Sequence, residues 1–380
     1  MALDLAEKWV VDFLLSKLPR KSKFRSIDEH GVDLTGSPGY PYKYIQGIQN
    51  KKDWLLKYRY VYDQNLELAK KVGYHFIPYY VWDSFPKFEI LDIEKRNKKT
   101  RLICGAAPEL VFLQDNCMGD LNEMFSQVPL SSKTAIGFNP TLGGWNYLST
   151  LFGDCEIDFS DAKQWDSSMS PSWLLRVYRI RERLGNFSPE EKNVLWFCFS
   201  ELCNSIVQLS CGDVYFVRGG NKSGSASTCH DNTIGHMLLI AYCFVLLGYN
   251  YESFNKHVFC IMGDDLLSQK FPPNFWLCYV TFGVNLVYRG CKTIFDSEFL
   301  SYKFLDTVYG VMPYHKNSKM LFSSFSHDTK NWPSIRYQKI FLLYVLNFWH
   351  KDKPVYQYLL DLYEIPYDDI QIIKFWSGIL

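Results

Sequence analysis

The 380-residue chain has almost no net charge: 41 basic and 40 acidic residues leave a formal +1. Affinity for a polyanion must therefore come from a local basic tract and not from a global field. Its 11 cysteines include no Cys-x-x-Cys pair and no Cys/His cluster at zinc spacing, which excludes the usual structural zinc modules and dithiol redox motifs. An odd number of scattered thiols, with no secretory pattern in the first residues, predicts reduced cysteines in a reducing compartment. Long apolar runs are missing too. The longest, Ile340 to Leu346 and Met237 to Gly248, are too short to span a bilayer. There is no internal repeat, low-complexity tract or Gly/Ser linker, so the elements are expected to pack into one body with interleaved lobes. Together these absences describe a soluble, intracellular, globular protein.

Aromatic residues are abundant, with 28 Phe, 26 Tyr and 11 Trp in a chain that is 47% hydrophobic. That is ample for a large core and argues against disorder. Apolar periodicity predicts helices over 3–18, 52–71 and 110–125, the first closed by Pro19 and the basic Lys21-Ser22-Lys23. Residues 27–45, rich in Gly, Pro and Tyr, read as an ordered loop, and 74–82 as an extended segment. A strand over 155–160 precedes a helix that Ser170 caps and Pro171 opens. A short strand at 214–217 leads to a long helix over 225–247, ended by Gly248. Residues 257–262 and 266–268 form a hairpin, and from about 333 the pattern is mainly helical. The expected class is α+β.

Four polar constellations interrupt these elements, and each has a bland reading. Gly263-Asp264-Asp265, set between Val258-Phe259-Cys260-Ile261-Met262 and Leu266-Leu267, is either a tight hairpin turn or a divalent-cation site. Asp161-x4-Asp166 is either a turn rich in Asp and Ser or a strand-end acid pair able to complete a two-metal site. Residues 219–232, GGNKSGSASTCHDN, open a small-residue loop into a helix on which Thr228 and Asn232 share one face. This is either a plain glycine loop or a place where backbone approaches a ligand. Lys95-Arg96-Asn97-Lys98-Lys99-Thr100-Arg101 is either a solvated face or a clamp for phosphates, and Leu102-Ile103 anchors its end.

The ordered set is more specific than its parts. The sequence resembles the RNA-dependent RNA polymerases of positive-strand RNA viruses, within the picornavirus-like and astrovirus-like breadth of that family. Asp161-x4-Asp166 resembles motif A, Ser223-Gly224-x3-Thr228-x3-Asn232 motif B, Gly263-Asp264-Asp265 motif C and Lys95 to Ile103 motif F. Thr35-Gly36-Ser37-Pro38-Gly39-Tyr40-Pro41 is similar to motif G. The resemblance implies a right-hand polymerase fold with an antiparallel, RRM-like palm sheet and a small helical thumb. Its implied divisions are fingers over 1–110, 136–152 and 185–222, palm over 111–135, 153–184 and 223–305, and thumb over 306–380.

The resemblance also implies roles. Asp161 and Asp264, with Asp265 assisting, would bind two Mg²⁺ or Mn²⁺ ions. Asp166 and Asn232 would read the incoming ribose 2′-hydroxyl, supported by Ser223 and Thr228. Arg101, with Lys98 or Lys99, would clamp the triphosphate, and Lys87 would line the same channel. Ser37, Gly39 and Gly224 would meet template or primer. Motif D needs a lysine near the leaving pyrophosphate; Lys292 is the choice, with Arg289 competing. Motif E resembles Phe299-Leu300-Ser301-Tyr302-Lys303, which would bring Lys303 near the primer. Asp158, three residues before Asp161, is a second candidate for the first acid, and the spacing to Asp166 selects Asp161.

Implied partners are template and nascent RNA, nucleoside triphosphates, a protein primer admitted by an open channel, and other viral replication proteins. The implied setting is the host cytoplasm, in membrane-associated replication complexes. The N-terminal apolar segment around Trp9 and Phe13 would bridge fingers to thumb or touch membrane, with packing favoured because acids interrupt it. A reverse transcriptase and a catalytically inactive RNA-binding relative are the rival readings.

Overall fold

The computed structural model of the chain describes residues 1–87, 101–140, 142–315 and 353–362, with residues 371 and 374. In chain order, α1 (Ala2–Lys17) and α2 (Lys51–Val72) precede β1 (Val81–Pro86) and β2 (Leu102–Gly105). Next come α3 (Pro108–Gln127), α4 (Gly144–Phe152), β3 (Ile157–Ala162), α5 (Trp165–Ser168), α6 (Pro171–Leu184) and α7 (Pro189–Cys203). They are followed by β4 (Asn204–Leu209), β5 (Val214–Arg218), α8 (Thr228–Leu246), α9 (Tyr251–Lys256), β6 (Phe259–Met262) and β7 (Asp265–Gln269). The described elements end with α10 (Phe275–Thr281), β8 (Leu286–Cys291), β9 (Glu298–Phe299), β10 (Tyr302–Thr307), β11 (Gly310–His315) and α11 (Lys353–Leu362). The chain is a mixed α+β protein, as its periodicities require.

The central sheet has the order β6-β7-β3-β8 and is antiparallel throughout. Strands β6 and β7 are covered on both faces, whereas the edge strand β8 is largely exposed. Consecutive residues of a strand point to opposite sides, and here Leu266 joins the larger core while Leu267 joins the smaller one. The larger core holds the inward faces of α1, α3, α6, α7 and α8. The smaller gathers Trp145, Leu148, Ile157, Phe299 and Phe304 around α4 and the β11-β10-β9 sheet. A third sheet, β2-β1-β4-β5, is antiparallel except for the parallel pair β1–β4.

Helix α6 begins as the sequence requires: the Ser170 hydroxyl accepts from the Trp173 N–H at 3.3 Å, with Pro171 in the first turn. Helix α1 packs against α8 and α6. Its apolar face buries Trp9, Val10, Phe13 and Leu14, and the buried Glu7 meets Arg176 at 2.9 Å and both Arg179 and Arg183 at 3.4 Å. No described helix is long and apolar enough to cross a membrane.

Three expectations change. The extended segment at 74–82 becomes a strand only from Val81, because the backbone before it is used elsewhere. The N–H groups of Tyr79 and Tyr80 donate to the buried Glu201 carboxylate at 2.8 and 3.1 Å, and that of His75 to the Ser200 hydroxyl at 2.9 Å. Strand β4, unanticipated, continues directly from α7 and pairs with both β1 and β5. A thumb boundary at 306 would cut β10, whose residues through Thr307 pair with β11. Apart from α11 and residues 371 and 374, the helical pattern expected from 333 onward lies outside the described residues.

Candidate active site

The β6–β7 hairpin pairs Met262 with Asp265, which leaves Gly263 and Asp264 as its two-residue loop. Gly263 adopts φ 65°, a region nearly closed to other L-residues, so the tight turn depends on it. On the neighbouring strand Asp161 lies directly opposite Asp265, a pairing that sets β-carbons about 5 Å apart. Three carboxylates thus share one end of the central sheet. Desolvation and then repulsion from Asp264 and Asp161 push Asp265 up to about 7, and Asp264 is raised first by desolvation and then by repulsion from Asp161 and Asp166. The hairpin and metal readings of Gly263-Asp264-Asp265 are therefore compatible: the turn carries the acids.

Helix α8 holds that turn by its peptide groups. The Gly263 N–H donates to the Thr233 hydroxyl and the Gly263 carbonyl accepts from His236 Nδ1, each at 2.9 Å. Because a carbonyl only accepts, His236 carries its proton on Nδ1, and its Nε2 accepts from the Tyr279 hydroxyl. Burial holds His236 neutral, pushed down to about 4. Deeper in the first turn of α8, Arg181 and Asp231 form a fully buried ion pair, and Arg181 also donates to Asn122 Oδ1 at 3.1 Å. Breaking such a pair costs roughly 3–5 kcal/mol, so the seat of α8 is firmly fixed.

The second acid of motif A is taken up by an amide. Asn232 Nδ2 donates to Asp166 Oδ1, and Asn221 Nδ2 donates to Asn232 Oδ1 at 2.8 Å. The buried Asn232 thus has the partner that burial demands. Arg101 lies close enough to pull Asp166 and Asp264 toward the ionised form, which brings motif F to the acids. Lys87, exposed, is its neighbour: the Lys87 N–H donates to the Arg101 carbonyl at 2.7 Å. Lys98 and Lys99 lie outside the described residues.

Strand β2 also gathers the two glycine-bearing loops. The Cys104 N–H donates to the Ser223 hydroxyl at 3.0 Å, and a β-carbon on Gly224 would fall 2.2 Å from the Cys104 carbonyl oxygen. Only glycine permits that approach. Gly39, buried at φ 74°, is packed against Ala106 just beyond the same strand, while Ser37 is exposed beside it.

Other assignments shift. Asp158 is excluded as the first acid: opposite in strand phase to Asp161, it accepts from the Phe271 N–H at 2.9 Å and Trp276 Nε1 at 3.2 Å. Lys292 is not brought to the carboxylates. It follows Cys291, which pairs with Ile157 at the far end of β3, whereas Asp161 pairs with Val287. Arg289 pairs with Phe159, two residues from Asp161 and in the same strand phase, so Arg289 is the cation on that face. Ser223 and Thr228 do not bond the Asp166–Asn232 pair through their hydroxyls. Ser223 serves β2, and the Thr228 hydroxyl donates to the Lys222 carbonyl at 2.7 Å. Lys303 lies on β10 opposite Glu298, whose charge helps raise Asp265.

The sequence reading passed over Asn221, Lys222, Thr233 and His236. Lys222 is buried and its ammonium donates to the carbonyls of Leu202 and Gly219 at 2.7 and 2.6 Å, stapling the loop. One signal was available for His236, which stands four residues beyond Asn232 on the same helix face.

The donor set Asp161, Asp264 and Asp265 fits a hard divalent cation, which takes oxygen ligands and would relieve the repulsion that raises two of them. Among the described residues, no three His, Cys, Asp or Glu side chains already converge as a cation cage.

Comparison with known proteins gives a consistent result. The viral RNA-dependent RNA polymerase family matches residues 17–275. The chain is 28% identical over 227 residues to the genome polyprotein of Pea seed-borne mosaic virus (strain DPD1), a match covering 59% of this chain and 7% of the polyprotein. It is 26% identical over 235 residues to that of Sweet potato mild mottle virus (isolate Salazar), with 59% of this chain and 7% of the polyprotein covered. The genome polyprotein of Watermelon mosaic virus II (isolate USA) is 27% identical over 221 residues, covering 57% of this chain and 22% of that sequence. The chain thus spans a small part of these relatives. With the family matched across the site and most of the fold, the chain belongs to the viral RNA-dependent RNA polymerases, a family of RNA-directed nucleotidyltransferases.

Proposed function

We propose that the chain copies an RNA template by transferring nucleotidyl groups from nucleoside triphosphates to the 3′-hydroxyl of a growing RNA strand, in replication of a positive-strand viral genome. The observation that carries this reading is the pairing of Asp161 with Asp265 beside the hairpin tip bearing Asp264, with the Asp166–Asn232 pair and Arg101 facing the same acids. Asp161 and Asp264, with Asp265 beside them, would hold two Mg²⁺ or Mn²⁺ ions, which when bound supply Lewis-acid stabilisation of the attacking and leaving oxygens.

The remaining work falls to this chain's own groups. Arg101 and Lys87 bind and orient the triphosphate. Asp166 accepts from the ribose 2′-hydroxyl, so a 2′-deoxy substrate leaves that carboxylate oxygen without its partner and is rejected. Arg289 contributes charge toward the leaving pyrophosphate but no proton, since a guanidinium stays protonated. The loop of Ser37 and Gly39 and the Gly224 turn, both against β2, guide the template strand, and Lys303 reaches the primer.

In a right-hand description the central sheet with α3, α6 and α8 is the palm, and the β2-β1-β4-β5 sheet belongs to the fingers. The thumb begins after β11. A small thumb leaves a channel open to a protein primer.

A primer-extension assay on homopolymeric RNA, with and without a short primer, tests the reading. Ribonucleotide incorporation that requires template and divalent cation is expected. Preference for deoxyribonucleotides would instead favour a reverse transcriptase, and RNA binding without incorporation an inactive relative. Full-length synthesis on an unprimed template without any protein primer would count against protein priming.

A further inference from the structure

Asn221 sits in the loop between β5 and α8 and is 4% exposed. It touches both members of the proposed ribose-reading pair. Its backbone N–H donates to the Asp166 carbonyl at 2.7 Å. Its side-chain Nδ2 donates to Asn232 Oδ1 at 2.8 Å and to the Thr228 carbonyl at 3.0 Å.

An amide has two orientations that differ by exchanging its oxygen and nitrogen, and its neighbours decide between them. A carboxylate only accepts, so Asn232 must present its NH₂ to Asp166, which turns its carbonyl oxygen the other way. That oxygen meets the Asn221 NH₂. The flipped amide would set oxygen against carboxylate and NH₂ against NH₂, two repulsive contacts in a buried place. The orientation has a cost elsewhere: Asn221 Oδ1 is buried and has no partner. A buried orphan acceptor is destabilising, and such groups call for an explanation beyond packing. Both NH₂ hydrogens of Asn221 are used while its oxygen is left unpaired, as expected if donation toward Asn232 matters most.

We propose that Asn221 is a positioning residue for sugar recognition: it locks the Asn232 amide so that Asn232 binds one oxygen of Asp166 and leaves the other to accept from the substrate 2′-hydroxyl. The inference rests on the reading of the site as an RNA-synthesising centre. It predicts an asymmetric defect. Losing the lock weakens ribonucleotide use, because the 2′-hydroxyl loses its ordered acceptor, and leaves deoxyribonucleotide use nearly unchanged.

The test measures kcat/KM for a ribonucleotide and its 2′-deoxy counterpart on a primed homopolymeric RNA, alongside thermal melting. Asn221→Asp replaces the donor by an acceptor, so the Asn232 amide faces a carboxylate on each side and is no longer locked toward Asp166. It should lower the ribo/deoxy ratio about 10- to 100-fold, a part of the discrimination available to a buried polar contact. Equal losses for both substrates would mark a merely structural role and overturn the proposal. If Asn221→Asp does not fold, a double-mutant cycle of Asn221→Ala with Asn232→Ala decides. Removing Asn221 should change the ratio in the parent and leave it unaltered once Asn232 is gone; additive losses overturn the proposal. A parent chain that incorporates neither nucleotide would refute the polymerase reading itself. A selective parent with an equally selective Asn221→Asp variant would refute only the role of Asn221.

Discussion

Two groups of acids lie side by side in this chain and are held in opposite ways. At the hairpin tip, Asp161, Asp264 and Asp265 share one end of the sheet, burial and neighbouring acids raise the proton affinity of Asp264 and Asp265, and α8 grips not the side chains but the Gly263 peptide groups. On the neighbouring side, Asp166 is bound through its carboxylate by Asn232, whose own oxygen is held by Asn221. The first arrangement fixes backbone and leaves charge only partly compensated, by Arg101, as suits a divalent cation. The second compensates the polar groups and fixes their orientation, as suits reading a neutral hydroxyl.

Substitutions can break this contrast. The largest effect is expected at the tip. Asp264→Asn should reduce incorporation by about 10³-fold or more, the equivalent of the several kcal/mol that cation-assisted charge stabilisation provides. Because it removes a repelling charge, it should melt at the same temperature as the parent or higher; loss of both activity and stability would show that the carboxylate is structural.

Next comes Asn232→Ala. The ribo/deoxy ratio should fall by about 10²-fold, far more than the turnover of deoxyribonucleotides, as read by competing the two substrates in one extension reaction. Thr233→Val keeps the shape of α8 but removes the acceptor for the Gly263 N–H. Incorporation should drop about 10-fold for both substrates with the ratio intact, and stability by roughly 1–2 kcal/mol, measured by denaturant unfolding. A changed ratio would mean that the two regions are not separable.

The smallest effect on activity belongs to Asp158→Leu, on the same strand as Asp161. It forfeits the bonds from Phe271 and Trp276 and should cost about 1–3 kcal/mol of stability, with incorporation within about twofold of the parent. A large activity loss without destabilisation would reopen Asp158 as a site acid.

Much of this was legible from local pattern. Apolar spacing located α1, α2 and α3 to within a residue or two, because a helix that buries one face repeats every 3.6 residues whatever it packs against. Ser170 and Pro171 marked the start of α6 because capping is a local event. The order of Asp161, Asp166, Asn232 and Gly263-Asp264-Asp265 indicated which acids belong together. What failed, failed for non-local reasons. Residues 74–80 have the composition of a strand, but the Glu201 carboxylate, more than a hundred residues away, takes the peptide donors of Tyr79 and Tyr80. Lys292 was preferred to Arg289 by resemblance in a loose register, and one residue of phase separates the two faces of a strand. The register of β8 against β3 sets Arg289 in phase with Asp161 and Lys292 beyond the far end of the pairing.

The sequence by itself determined the chemical inventory and its order: acids, small-residue loop, amide and basic tract are properties of residue types and intervals. Only the tertiary structure decided which cation shares the strand face of Asp161 and which amide orients Asn232. Those outcomes depend on strand register and on hydrogen bonds between residues far apart in the chain. No local interval encodes them, because they arise only when β3, β7, β8 and α8 are brought together.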